Sequence, residues 1–332
     1  MTRNQYPSRR QRRLRTRASV RDLVRETVVS PSDLIQPVFV HDVGNDDVPI
    51  RSMPGQFRRT EDSLLRFAER AWRAGVRGLA LFPRVSDELK SDGAEEAWSD
   101  AGLVPRIVKK LKATLPELLV ITDVALDPYS SHGQDGLVED GRIVNDPTVE
   151  ALVKQAVCHA RAGADMVAPS DMMDGRIGAI RDALDENGFS ETLIMAYSAK
   201  YASAFYGPFR EALDSAPRGG ADKNTYQMDP GNTDEALQEV ALDFDEGADI
   251  VMVKPGMPYL DVLWRVKQHV RRPVAVYQVS GEYAMLEAAG ANGWLDRDKV
   301  VQEALLGLKR AGADIILSYY GVEAAERWLT RR

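Results

Sequence analysis

The sequence predicts an α/β fold: a (β/α)8 TIM barrel preceded by an extended amino-terminal arm. Eight short apolar runs alternate with amphipathic, helix-like segments along the 332 residues. Alternating strands and helices indicate a parallel sheet covered by helices, and eight repeats indicate closure into a barrel. The predicted strands cover residues 34–40, 78–82, 118–124, 165–168, 193–197, 249–253, 274–279 and 314–318.

A partial internal repeat supports these strands. The second, fourth, sixth and eighth runs are each preceded by a glycine, and in the last three cases the motif is Gly-Ala-Asp. A glycine at this point typically ends a helix in the left-handed conformation before the chain turns into a strand. The sequence therefore predicts helix ends at Gly75, Gly163, Gly247 and Gly312.

The chain divides into an arm, residues 1–32, and a catalytic barrel, residues 33–332. Six arginines lie within nine positions of the arm: Arg9, Arg10, Arg12, Arg13, Arg15 and Arg17. Such a segment suits nucleic acid or anionic lipid, or it docks on a neighbouring subunit. The arginines partly alternate with other residues, few aromatics accompany them, and the whole chain is acidic, with a net charge of −7. These features favour docking.

Composition narrows the class of protein further. The chain is 44% apolar and 28% charged, as expected of a soluble globular protein, and its acidity argues against a nucleic-acid partner. No apolar run approaches the roughly 20 residues that span a bilayer, so no membrane partner is expected, and no signal peptide is visible. Cys158, the only cysteine, lies in a helix-like segment and is expected to be packed. A cytoplasmic location follows.

Two lysines stand at the ends of predicted strands. Lys254 follows the sixth run and precedes Pro255 and Gly256, and Lys200 follows the fifth run. The active site of such a barrel lies at the carboxyl ends of its strands, so both amines should point into one mouth. Burial disfavours the charged form of lysine, and a neutral amine forms Schiff bases with ketones and aldehydes. Two such amines indicate chemistry on two carbonyl groups.

Other polar side chains end neighbouring strands. Asp123 and Asp127 follow the third run, Ser280 the seventh and Tyr319 the eighth. Polar groups therefore converge on the same mouth from five strands, which packing alone does not require.

Two connections are longer than usual. The loop 201–233 is rich in glycine and proline and contains Arg210 and Lys223, so it is either a lid whose cations hold a substrate carboxylate or a solvated loop. The second loop, 127–145, contains Asp135.

Several long blocks resemble the porphobilinogen synthase family, also called δ-aminolevulinic acid dehydratase, and the likeness runs from about residue 13 to the carboxyl terminus. The resemblance implies a lyase that joins two molecules of 5-aminolevulinate into porphobilinogen with loss of two waters, in tetrapyrrole (heme and chlorophyll) biosynthesis. It implies no organic cofactor. The blocks are Met252-Val253-Lys254-Pro255-Gly256-Met257-Pro258-Tyr259-Leu260-Asp261, Tyr197-Ser198-Ala199-Lys200-Tyr201-Ala202-Ser203, Phe205-Tyr206-Gly207-Pro208-Phe209-Arg210, Ala168-Pro169-Ser170-Asp171-Met172-Met173-Asp174-Gly175 and Tyr277-Gln278-Val279-Ser280-Gly281-Glu282-Tyr283.

The resemblance also implies roles for the catalytic residues. Lys254 matches the lysine that forms a Schiff base with the first substrate, which becomes the propionate side of the product. Lys200 matches the lysine that engages the second substrate, on the acetate side. Asp123 and Tyr206 match residues of the same site that assist proton transfer.

Two carboxylate-binding groups are implied in the same way. Ser280 and Tyr319 match the residues that hold the first substrate's carboxylate. Arg210, Lys223 and Gln227 match those that hold the second. Lys223 stands where some members have arginine, which keeps the charge but loses the bidentate fork.

Metal use is where the chain departs from many members. Ala125, Asp127 and Asp135 occupy positions that are cysteines in zinc-binding relatives, so no zinc–cysteine site is expected. Carboxylates suit Mg²⁺, so Asp127 and Asp135 either bind a hard cation or act as hydrogen-bonding loop residues. Glu239 matches the position of an allosteric Mg²⁺ in some bacterial and plant relatives. Arg181 resembles the residue that faces that ion from a neighbouring subunit.

Two other functions stay open at this point. A class I aldolase-type barrel would need only one essential lysine and no second carboxylate pocket. An oligomeric barrel that binds nucleic acid through its arm would show steeply salt-dependent binding. The family resemblance implies homo-octamers or homo-hexamers whose arms wrap neighbouring barrels.

Overall fold

A computed structural model describes residues 9–214 and 222–329 of the chain, and it confirms the predicted barrel. Eight parallel strands of the described chain close on themselves because the eighth pairs with the first. Their bounds differ from the predicted ones by at most three residues. The strands are β1 Leu34–His41, β2 Gly78–Arg84, β3 Leu119–Val124, β4 Met166–Pro169, β5 Leu193–Lys200, β6 Ile250–Lys254, β7 Val274–Gln278 and β8 Ile315–Ser318.

Helices cover the outside of the barrel. The α2 helix shows why: it buries Leu64, Ala68 and Ala71, whose spacing of four and three residues forms one apolar face. The described helices are α1 Ala18–Leu23, α2 Glu61–Ala74, α3 Leu103–Thr114, α4 Asn145–Ala162, α5 Arg176–Glu186, α6 Gly207–Leu213, α7 Asp234–Asp245, α8 Leu260–His269, α9 Ser280–Ala291, α10 Arg297–Arg310 and α11 Gly321–Arg327. Short strands Val48–Pro49 and Phe57–Arg59 follow β1, and Val138–Glu139 pairs with Arg142–Ile143 after β3. Cys158 is buried in α4, as expected.

The repeat glycines, three of which belong to a Gly-Ala-Asp motif, lie at the amino-terminal end of the barrel. All four repeat glycines have φ between +100° and +115°, which confirms the predicted helix ends. The aspartate that follows then fixes the start of the preceding strand, because its Oδ2 accepts a backbone N–H at 2.8 Å. The pairs are Asp165 with Val120, Asp249 with Ile194, and Asp314 with Val274. These stabilising contacts leave the opposite end of the barrel available for chemistry.

The described part of the arm lies outside the barrel. A short 3-10 turn, Gln11–Leu14, and α1 bury no residue, and Leu23 is 84% exposed. Residues 1–8 of the predicted arm, 215–221 of the predicted lid and 330–332 lie outside the described residues. Among the helices that are described, none is long and apolar enough to cross a bilayer.

Candidate active site

An irregularity in β5 brings the two lysines together. Lys200 and Lys254 are paired at the ends of β5 and β6. Before them the register shifts: Val251 pairs with Ala196 but Val253 pairs with Ala199, so β5 has one residue more than β6 over this interval. Side chains alternate along a regular strand, so residues three apart face opposite sides. Tyr197 and Lys200 nevertheless both face the site, because the bulge inserts one extra residue between them. The bulge therefore aims Lys200 into the barrel mouth beside Lys254.

The Lys254 amine lies in an aromatic box. Its Nζ is 4.8–5.2 Å from four ring centroids, those of Tyr277, Tyr197, Tyr206 and Phe209. The side chain makes no ion pair with any residue that the structure describes. Burial and, second, the positive charge of Lys200 together lower the pKa of Lys254 to about 7, against the attraction of Asp123. The ring faces attract a cation, but burial outweighs them. Lys254 therefore keeps a substantial neutral fraction near pH 7, as a Schiff-base amine would need.

Lys200 has a different environment. Its Nζ donates to the Ser170 carbonyl and lies 3.2 Å from Asp135 Oδ2. The same carboxylate accepts from Lys223 Nζ at 2.9 Å and from Gln227 Nε2 at 3.2 Å. Burial alone would raise the pKa of Asp135, but the two lysines outweigh burial and hold it well below its ordinary range. Lys200 is thus ion-paired with Asp135, whereas the Lys254 amine beside it has no such partner among the described residues.

Asp123 is the candidate proton carrier. Burial and, second, the negative charge of Asp127 raise its pKa to about 7, although Lys254 and Lys200 oppose the rise. Its Oδ1 has no hydrogen-bond partner within the described residues. A carboxyl group that titrates near neutral pH and keeps one oxygen unoccupied suits general acid–base work. Tyr206, in contrast, donates its hydroxyl to the Lys254 carbonyl at 3.3 Å, and burial holds its pKa well above the ordinary value.

The predicted groups for the second carboxylate border one small cavity. Arg210 on α6, Lys223 and Gln227 line it together with Lys200 and Asp135. Arg210 forms no ion pair across residues 9–214 and 222–329, so its guanidinium is available to a carboxylate. Lys223 and Gln227 instead contact Asp135, and a substrate would have to compete for them.

The predicted groups for the first carboxylate lie outside the lining of this cavity. Ser280 Oγ accepts from the Phe209 N–H at 2.9 Å, and Tyr319 shares a 2.8 Å hydrogen bond with Tyr277. Neither Ser280 nor Tyr319 lines the cavity. The Phe209 ring lines the cavity, and its centroid is 5.2 Å from that of Phe82. Their role as substrate ligands stays a prediction.

The cavity between the lysines is small because α6 covers it. Its volume is about 30 Å³, which holds about one water molecule. Ligand pockets commonly need about 300 Å³ or more, so the described arrangement is a closed form of the site. Arg58 fixes the carboxyl end of α6, because it donates to the Ala212 and Glu211 carbonyls at 2.6 and 2.7 Å. This helix lies within the loop 201–233, which was predicted to be either a lid or a solvated loop.

Asp135 is not free to bind a magnesium ion in this arrangement. Asp135 already accepts three donors, two of them cationic. Asp127 lies at the cavity wall, where its charge raises the pKa of Asp123. Across residues 9–214 and 222–329, no group of three or more His, Cys, Asp or Glu side chains is arranged to hold a metal. The geometry favours the hydrogen-bonding alternative for Asp135.

Glu239 lies in a second, larger region away from the lysines. It lines a groove of about 900 Å³, and burial followed by the charge of Asp243 raises its pKa. Arg181 is engaged within its own subunit, where it donates to the Thr192 carbonyl at 2.8 Å and pairs with Asp185 at 2.6 Å. We call this region the acidic groove after five carboxylates that line it: Asp174, Asp222, Asp229, Glu235 and Glu239.

Sequence reasoning missed several parts of the site. The aromatic box was not predicted, because Phe209, Tyr277 and Tyr197 have the pattern of ordinary core residues. The Ser170 carbonyl is a backbone ligand of Lys200 and carries no side-chain signal. The odd spacing between Tyr197 and Lys200 was a usable signal for the bulge.

Known proteins resemble this chain over nearly its whole length. The family model of delta-aminolevulinic acid dehydratase matches residues 8–327. The chloroplastic delta-aminolevulinic acid dehydratase of Oryza sativa subsp. japonica is 55% identical over 320 residues, 96% of this chain and 75% of that protein. The enzyme of Bradyrhizobium diazoefficiens is 54% identical over 322 residues, 97% of this chain and 91% of that protein.

A solved structure shows the same fold. The delta-aminolevulinic acid dehydratase (porphobilinogen synthase) of Toxoplasma gondii ME49, in complex with the reaction product porphobilinogen, superposes with a TM-score of 0.94. It is 54% identical, and the match covers 96% of this chain and 91% of that chain. The chain therefore belongs to the delta-aminolevulinic acid dehydratase family.

Proposed function

We propose that this chain condenses two molecules of 5-aminolevulinate into porphobilinogen with loss of two waters, as a lyase of tetrapyrrole biosynthesis. The observation that carries the proposal is the pairing of two strand-end lysines with different charge states. Lys254 has a pKa of about 7, whereas Lys200 forms an ion pair with Asp135. A single-lysine aldolase would need neither this second amine nor the cations Arg210 and Lys223 beside it.

The first substrate would react at Lys254. The neutral amine attacks the ketone carbon, and loss of water gives an imine between Nζ and that carbon. The aromatic box excludes water from the imine and so disfavours its hydrolysis. In this proposal Ser280 and Tyr319 hold the carboxylate of this substrate, which requires the Phe209 ring to move from its described position.

The second substrate would react at Lys200. Arg210, Lys223 and Gln227 hold its carboxylate, and the amine must leave its ion pair with Asp135 before it attacks. Loss of a proton next to the second imine gives an enamine, and Asp123 is suited to accept that proton because it titrates near pH 7. The enamine carbon attacks the imine carbon on Lys254 and forms the C–C bond. The free amino group of the first substrate then attacks the second imine carbon and displaces the Lys200 amine. Elimination of the Lys254 amine and a final loss of a ring proton give the aromatic pyrrole.

Magnesium is a separate part of the proposal. We assign it to the acidic groove with Glu239 as a protein ligand, since Mg²⁺ keeps several waters and needs only one or two carboxylates. The supporting observation is that burial and then the charges of Asp243 and Asp174 raise the pKa of Glu239, a rise that a bound cation would oppose. A magnesium-dependent change in thermal unfolding that Glu239→Gln removes would support this assignment. An active-site magnesium at Asp127 and Asp135 stays a prediction.

The arm is proposed to dock on a neighbouring copy within a homo-octamer or homo-hexamer. Its arginines complement the carboxylates of the acidic groove, and its exposed Leu23 and Val28 would be buried there. The proposed location is the cytoplasm, on the basis of a single cysteine. Sizing the chain with and without residues 1–32 by light scattering tests the docking. An unchanged assembly would contradict it.

Borohydride trapping tests the central proposal. Reduction in the presence of 5-aminolevulinate, followed by peptide mapping, should find adducts on Lys254 and Lys200. Lys254→Ala should abolish porphobilinogen formation, measured by the colour reaction of the pyrrole. Adducts confined to other lysines, or normal turnover by Lys254→Ala, would refute the mechanism.

A further inference from the structure

Glu282 is a buried carboxylate that the proposed chemistry does not use. It lies in the first turn of α9 and has no solvent-exposed surface. Three backbone N–H groups donate to it: Gly256 and Val279 to Oε2 at 3.0 and 2.8 Å, and Met257 to Oε1 at 2.5 Å. Burial raises its pKa to about 7, and the three donors oppose the rise. The carboxylate thus has a full set of partners without touching the cavity.

These donors come from two different active-site loops. Gly256 and Met257 lie two and three residues after Lys254, in the loop that leaves β6. Val279 immediately precedes Ser280, in the loop that leaves β7. One carboxylate therefore fixes the separation of the loop that carries the nucleophile and the loop that carries Ser280.

Helix capping explains only one of the three bonds. Val279 is the residue before α9, and an acid at the third helical position commonly accepts its N–H. The bonds from Gly256 and Met257 do nothing for α9, because these residues belong to another element. They constrain the loop after Lys254 instead.

The opposite side of Lys254 is also held. Its carbonyl accepts from the Tyr201 N–H at 3.0 Å and from the Tyr206 hydroxyl at 3.3 Å. A side chain at position 281 would collide with the Phe205 carbonyl, so the turn held by Glu282 is in close contact with the segment that leads to α6. Lys254 is therefore fixed from the β5 side by backbone contacts and from the β7 side by Glu282.

We propose that Glu282 is a positioning residue, whose carboxylate ties the loop after β6 to the loop after β7 and thereby sets the position of the Lys254 amine. The inference rests on the proposed role of Lys254 as a Schiff-base amine. A small displacement of a reacting group costs as much as 100-fold in rate, so this tie should matter for the chemical step.

The test compares two Glu282 variants with a control at the amino-terminal end of β6, the strand that ends at Lys254. Glu282→Gln keeps the shape but presents an NH₂ group to at least one N–H donor. Glu282→Asp keeps the charge but is too short to reach both loops. The control is Asp249→Asn, which alters a carboxylate that accepts one backbone N–H at the amino-terminal end of β6.

We expect both Glu282 variants to form the trapped imine at Lys254 roughly 100-fold more slowly, with kcat reduced and KM changed by less than about threefold. The adduct ratio of Lys254 to Lys200 should fall, whereas Asp249→Asn keeps the wild-type ratio. Equal loss of both adducts, or wild-type trapping in either Glu282 variant, would overturn the inference. Failure of the wild-type protein to form either adduct would instead reject the proposed function.

Discussion

The charge state of Lys254 can be measured directly. Burial and then the charge of Lys200 lower its pKa from 10.5 to about 7. At pH 7 about half of the Lys254 amines are therefore neutral, compared with roughly one in 3000 for an exposed lysine. The rate of imine formation at Lys254 should rise through a midpoint near pH 7 and level off above it, because only the neutral amine attacks.

Two substitutions should move this midpoint in opposite directions. Lys200→Met removes a neighbouring positive charge, so the pKa of Lys254 and the midpoint should rise. Asp123→Asn removes a negative charge that favours the ammonium, so the midpoint should fall. Lys267→Met is the control, since Lys267 pairs with Asp314 at the opposite end of the barrel and should leave the midpoint unchanged.

The assay is borohydride trapping of the Lys254 adduct across the pH range, quantified by peptide mass spectrometry. Following the adduct at one lysine separates imine formation from the later steps, so the inactive Lys200→Met variant remains measurable. A wild-type midpoint above about pH 9 would refute the desolvation argument, because exposed lysines titrate there or higher. A shift in the same direction for both variants would refute the electrostatic part.

Other expectations follow from contacts outside the lysine pair. Arg58→Met removes the donors that hold the end of α6, so KM for 5-aminolevulinate should rise several-fold in steady-state assays. Circular dichroism should show an intact fold. An unchanged KM would contradict the proposed role of Arg58 in holding α6. Asp314→Ala removes the bond to Val274, so denaturant unfolding should show a loss of about 1 kcal/mol with kcat/KM unaltered. Burial lowers the pKa of His159 from 6.5 to about 3, so the unfolded state binds more protons between those values, and the unfolding free energy should decrease as pH falls through that window. His159→Leu should flatten that slope, and a pH dependence equal to that of the wild type would show that His159 does not cause it.

Local patterns carried most of the fold. The Gly-Ala-Asp motif predicted helix ends and strand starts because a left-handed glycine and a following strand are chemically local events. The motif has a second role that the sequence could not reveal: Asp249 bonds to the start of β5, and its partner Ile194 lies 55 positions away. Such pairings depend on closure of the barrel, which only the folded chain determines.

Fewer features of the candidate site than of the fold could be predicted from the sequence. Strand-end position predicted that Lys200 and Lys254 lie at one rim, since all carboxyl ends of parallel strands meet there. The bulge in β5 that turns the Lys200 side chain into the mouth was not predicted. The pairing of Lys223 with Asp135 spans 88 positions and joins two loops, so no periodicity points to it. The same holds for the Phe209 ring, whose place beside Lys254 depends on how α6 folds over the mouth.

The positive charge of Lys200 also affects the protonation of its neighbour Lys254. Burial moves the pKa of Asp123 up and that of Lys254 down to about the same value, so their neutral and ionised pairings are close in free energy. Lys200 contributes to this balance through its charge alone, before it binds any substrate. Loss of that charge at Lys200 should therefore slow the first imine at Lys254 near pH 7, an effect that two independent amines would not show.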